Sequence, residues 1–157
     1  MKNSVRLYNV MFPIWFFWLL PTPLWLIILP VNFAIDSLVL CLAMKRQDLQ
    51  NKMEKWKKSI WKVWVIGFLC DIIGALLILG LYFLLGETLR ISWKLILFPG
   101  TTLLSLPGVV LAGVLIYFVN RRFSFAKCEL EPMQIHKISL ALAIFTAPYA
   151  MLIPLYG

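Results

Sequence analysis

"VWVIGFLCDIIGALLILGLYFLL", residues 63–85, holds no lysine or arginine and a single acid, Asp71. Its apolar positions run on without the in–out alternation of a barrel strand. About 20 apolar residues of helix cross a hydrocarbon core about 30 Å thick, and a helix satisfies its own backbone where no water is present. The stretch therefore reads as a transmembrane helix.

Working outward, the same reading applies to four more apolar segments, giving about 7–20, 24–44, 63–85, 102–120 and 138–156 in one transmembrane domain spanning 1–157. The fold class expected is an all-α integral membrane bundle of five helices. The first segment, at about 21 Å of helix, is short, so four spans plus a re-entrant N-terminal segment is the alternative. Pro21 and Pro23 separate the first two segments, since proline lacks the donor a helix needs and restricts the residue before it. Pro99 and Gly100 stop the chain before the fourth, with Thr101 as its N-cap and Pro107 kinking its second turn. Pro148 and Pro154 fall near the far end of the fifth. The composition agrees: 62% of residues are hydrophobic, against roughly 45–50% in a soluble domain.

The net charge of +8 comes from fifteen Lys and Arg against seven acids. Lys2 and Arg6 precede the first segment. Lys45, Arg46, Lys52, Lys55, Lys57, Lys58 and Lys62 separate the second from the third, and Arg121, Arg122, Lys127 and Lys137 separate the fourth from the fifth. Only Arg90 and Lys94 fall on the opposite side. Cytoplasmic loops carry the Lys and Arg excess, so the N-terminus is expected in the cytoplasm and the C-terminus outside, in the plasma membrane. Basic residues flanked by membrane point to the bilayer and its anionic lipids, not to nucleic acid.

Between the second and third segments, Leu49, Met53, Trp56, Ile60 and Trp64 repeat at helical spacing. Asp48 with Lys52 and Glu54 with Lys58 make i,i+4 pairs of favourable orientation. A basic amphipathic helix is expected at the inner surface, running into the third span, with Lys55 and Lys58 available to an anion or a lipid headgroup.

Asp36 and Asp71 lie inside apolar segments, each eight residues from the inner end of its span and so about 12 Å from it. Consecutive antiparallel spans place the two carboxylates at one depth. Asn32 lies one turn from Asp36. Gly67, Cys70, Asp71 and Gly74 share one helix face, and Gly108 with Ala112 make a similar one on the fourth segment, where small residues let backbones approach. Ionisable residues within a span mark ion or substrate pathways. Asn32, Asp36 and Asp71 are therefore the candidate ion- or substrate-binding residues, and interhelical packing with Asn32 and Ser37 is the structural alternative.

Cys41, Cys70 and Cys128 show no metal or disulfide spacing. Cys128, Glu129 and Glu131 precede the single histidine, His136, in a pattern unlike any standard metal site. With no nucleophile or phosphate-loop motif either, no catalytic residue, cofactor or metal is expected, and the chain does not read as an enzyme.

"YFVNRRFSF", residues 117–125, resembles the Asn-Arg-Arg-aromatic-x-Phe signature of GtrA-like proteins, small multispan proteins implicated in moving polyprenyl-phosphate-linked sugars. The resemblance implies that Asn120, Arg121 and Arg122 face a lipid phosphate at the inner leaflet. It covers these residues alone: that family has two spans after its motif, and one remains here. Arg121 and Arg122 join Lys55 and Lys58 as candidate headgroup contacts. The functional expectation is a small protein that transports or translocates an ion or an anionic lipid-linked substrate through an Asp36/Asp71 site. The alternative is a non-enzymatic accessory subunit of a larger membrane complex. Its partners are then anionic lipids of the bilayer and either a second copy or a larger membrane protein.

Overall fold

The computed structural model describes residues 23–47, 49–85 and 100–153. Among them lie four α-helices: α1 Trp25–Arg46, α2 Lys52–Phe83, α3 Gly100–Val119 and α4 Pro132–Phe145. A π-helical turn, Asn120–Ser124, continues α3, and a 3-10 turn, Tyr149–Leu152, follows α4. Four stretches are long and apolar enough to cross a membrane: Trp25–Arg46, Lys52–Phe83, Thr102–Ser124 and Pro132–Leu152. The all-α membrane reading holds at that level. The expected span at 7–20 lies outside the described residues.

The helices close a ring in which α1 packs on α2 and α4, and α3 packs on the same two. A short connection turns the chain between α1 and α2. Asn51 there takes a left-handed conformation (φ 54°, ψ 41°), which asparagine tolerates better than most residues. Each helix buries one narrow stripe. On α1 it is Asp36, Leu40 and Met44, four residues apart. On α2 it includes Val63, Gly67, Cys70, Asp71, Gly74 and Ile78. The outward faces carry Leu26, Leu38, Leu69, Leu76, Val110 and Phe118, all exposed. An apolar exterior around a partly polar interior suits a lipid solvent and is foreign to a water-soluble bundle.

The tightest crossing is α2 on α3. A β-carbon at either Gly74 or Gly108 would press into the other's backbone oxygen, so the expected small-residue faces do meet. Farther along α2, Gly80 has open space around it and plays no such part.

α2 is 32 residues long, about 48 Å, and exceeds the hydrocarbon thickness. The amphipathic segment and the span form one unbroken helix, so the basic segment continues along the span axis. Its apolar face meets protein. Leu49 and Ile60 are buried and Trp56 packs against the core with them, beside Phe125 and Cys128 from the chain that follows α3. The Cys128 thiol reaches the Lys55 carbonyl at 3.9 Å. Met53 departs from the expected face and is 65% exposed, while Ser59 and Val63 are buried. The buried stripe is therefore set by where the residues after α3 cover the helix. The Glu54–Lys58 pair forms at 2.6 Å on the exposed side. The Asp48 pair lies outside the described residues.

Two boundaries also differ from expectation. α3 is already helical at Gly100, so Thr101 sits inside the first turn and cannot be its N-cap. The helix continues through Pro107. The last apolar segment is not one helix over 138–156: α4 begins at Pro132 and ends at Phe145. Its start is fixed by Pro132 in the first turn, which has no N–H to leave unpaired, and by a capping box between Glu131 and Gln134, which satisfies donors that a helix start leaves free.

Candidate functional site: a polar cluster beside a helix break

Fourteen residues of α4 span about 21 Å, so the helix that starts at the basic end stops short of crossing a 30 Å core. Its C-cap is Thr146, and the chain passes through Ala147 and Pro148 before turning again. Pro148 has no N–H to offer the Ile144 carbonyl four residues earlier. The Tyr149 hydroxyl donates to that carbonyl instead, at 2.6 Å. Thr146 spends its hydroxyl proton on the Leu142 carbonyl at 2.8 Å, the same oxygen its backbone N–H reaches at 2.8 Å. Non-helical backbone at this depth is tolerated where it is buried in protein or lines a cavity.

The break faces the acidic stripe of α1. Asp36 is 1% exposed. Its carboxyl group adjoins the Thr146 side chain, whose hydroxyl proton is already committed to Leu142, and its Oδ2 lies 3.2 Å from where a β-carbon of Gly67 would sit. That oxygen is buried with no hydrogen-bond partner. Gly67 thus makes room for Asp36, which is the local reason a glycine occupies this point of α2.

Asn32 and Asp71 line a cleft of about 330 Å³ with Thr146, Pro148 and Tyr149, between α1 and the end of α4. Asp71 is 3% exposed. Thr146 is thereby the link: it touches Asp36 on one side and shares the cleft with Asn32 and Asp71 on the other. The two aspartates are not directly opposite. Asp36 faces Gly67, one helical turn nearer the basic end than Asp71, an axial stagger of about 6 Å. Every lysine and arginine among the described residues lies toward the other end of the ring from the helix break, so acceptor oxygens and hydroxyls dominate this site.

The basic-end candidates separate. Arg121 and Arg122 are exposed, and Lys58 is held by Glu54. Lys55 is half-buried and contributes its carbonyl to Cys128. Asn120 points inward and is fully buried: its Nδ2 donates to the Ile116 carbonyl at 2.9 Å, and its Oδ1 accepts from the Ser124 hydroxyl at 2.5 Å. It therefore holds the π turn together and does not present itself to a lipid phosphate. Burial pushes the Cys128 thiol up, against the opposing pull of Lys62, Lys58 and Lys55. His136 sits under Tyr117, whose hydroxyl lies 2.7 Å from its Nδ1. Among the described residues no group of His, Cys, Asp and Glu is arranged to hold a metal.

Thr146 escaped the sequence reading because a threonine near a helix end is ordinary. The available signal was Pro148 two residues later, within an apolar run too long to end there for lack of hydrophobic residues. No protein-family model, curated protein or solved structure matches this chain, so the nine-residue resemblance at 117–125 carries no family assignment.

Proposed function

We propose that this protein translocates a small monovalent cation, proton included, across the membrane through the cluster of Asp36, Thr146, Asn32 and Asp71, with its basic end in the cytoplasm. One observation carries the reading: the Asp36 carboxylate oxygen is sealed from lipid, has no partner among the described residues, and adjoins a break in α4. Leaving such an oxygen bare is costly, and a bound cation supplies the missing partner. Interrupted helices at bilayer depth are where secondary transporters hold their coupling ions. The chemistry selects charge: carboxylates, an amide and a hydroxyl favour a cation, so an anionic substrate is disfavoured at this site. The orientation rests on the Lys and Arg excess.

The test is thermal unfolding of the purified protein in detergent while Na⁺, K⁺ and pH are varied in turn at constant ionic strength. The wild type is expected to gain stability with one of these ions, and Asp36→Asn is expected to remain folded and lose the response. A folded wild type indifferent to all three favours the alternative in which the aspartates serve interhelical packing within a larger assembly.

A further inference from the structure

The neighbouring face of the bundle, across α4 from the acidic cleft, carries a second feature. Between α3 and α4 runs an apolar groove of about 390 Å³, with Val110, Gly113 and Val114 on one wall and Leu140 and Ile144 on the other. Val110 and Val114 are exposed on the outer surface. The groove ends at Tyr117. Just beyond it, at the basic end, opens a recess of about 510 Å³ lined by Arg121, His136, Glu131, Pro132 and Met133.

Tyr117 joins the two. Arg121 Nη1 donates to the Tyr117 hydroxyl at 2.8 Å, and that hydroxyl lies 2.7 Å from His136 Nδ1. The tyrosine hydroxyl can donate to Nδ1, with the ring N–H then on Nε2, or accept from an Nδ1–H; either tautomer holds the His136 ring against Tyr117. Arg121 has five N–H groups and commits one here. The tyrosine thus fixes a guanidinium and an imidazole at the end of the apolar groove. The nearby carboxylate, Glu131, is engaged by its own helix, accepting from the backbone N–H at Gln134.

We propose that this α3/α4 face binds one anionic phospholipid of the cytoplasmic leaflet, an acyl chain in the groove and the phosphate on Arg121 and His136. Charge complementarity selects the headgroup, because Arg122 stands beside Arg121 and both are exposed. The apolar groove selects a lipid over a free anion. The orientation follows the proposed topology; the groove's far end meets the acidic cleft at Ala147 and Tyr149, but the headgroup end at Arg121 and His136 lies away from Asp36 and does not need ion translocation to be correct.

The experiment is native mass spectrometry of the full-length protein, released from micelles doped with phosphatidylglycerol, phosphatidylcholine or inorganic phosphate. The wild type is expected to retain one phosphatidylglycerol at least tenfold more than phosphatidylcholine. Arg121→Gln and Tyr117→Phe are each expected to lose that preference. Val114→Trp fills the groove from the lipid-exposed side, away from the core, and is expected to lose lipid with Arg121 intact. Asp36→Asn is expected to bind as wild type. Equal retention of both lipids, retention by Val114→Trp, or inorganic phosphate competing as well as lipid would overturn the proposal.

Discussion

A β-carbon added to Gly74 would lie 2.7 Å from the backbone oxygen of Gly108, and one added to Gly108 would lie 2.6 Å from the oxygen of Gly74. The two helices therefore touch backbone to backbone. In lipid, where no hydrophobic force drives helices together, such close packing is a main source of association.

Gly108→Ala is accordingly expected to destabilise the bundle by about 1–3 kcal/mol, the range for an overpacked core. Gly80 provides the contrast, since nothing lies within 4 Å of its added β-carbon. Gly80→Ala should stabilise α2 by about 0.5–1 kcal/mol through the unfolded-chain entropy it removes. Unfolding in mixed micelles measures both, and equal effects of one sign would refute the assignment of the crossing point.

Asn120 and Ser124 give a second test. Both are buried, and they satisfy each other and the Ile116 carbonyl. Asn120→Ala strands the Ser124 hydroxyl and removes the Nδ2 bond, so a loss of about 1–3 kcal/mol is expected. The same substitution should leave lipid binding at Arg121 intact, as read by the retention assay. Selective loss of lipid with unchanged stability would place Asn120 at the surface.

Cys128 reports on whether the basic segment of α2 packs on protein. Its thiol is buried beside Lys55 and pushed up by that burial, and the reactive species toward alkylating reagents is the thiolate. In a Cys41→Ser, Cys70→Ala background, maleimide labelling near neutral pH should be slow until denaturant is added. Leu49→Ala, by loosening the cover, should speed it. Rapid labelling of the folded parent would mean that this segment lies open to water or lipid.

The sequence made some of this legible and hid the rest for identifiable reasons. Runs such as 63–85 announce spans because lipid tolerates little else, and Asp36 and Asp71 stand out because each is a lone acid in such a run. The α2/α3 glycine faces were readable from helical spacing. The stagger of the aspartates was not, since it depends on how α1 slides along α2, and hydropathy is blind to that. The break at Thr146 was masked because residues after it remain apolar. The inward turn of Asn120 was hidden because a π-helical turn rotates the face that a regular α-helix would present.

Cation movement through the Asp36–Thr146 cluster is tested most directly by flux into proteoliposomes, with H⁺, Na⁺ and K⁺ gradients applied one at a time. The wild type should carry one of these ions faster than protein-free vesicles. Asp36→Asn should lower that rate at least about tenfold, equivalent to about 1.4 kcal/mol on the barrier, with Thr146→Val reducing it in the same direction. Flux of none of the three ions, or Asp36→Asn at the wild-type rate, would contradict the account.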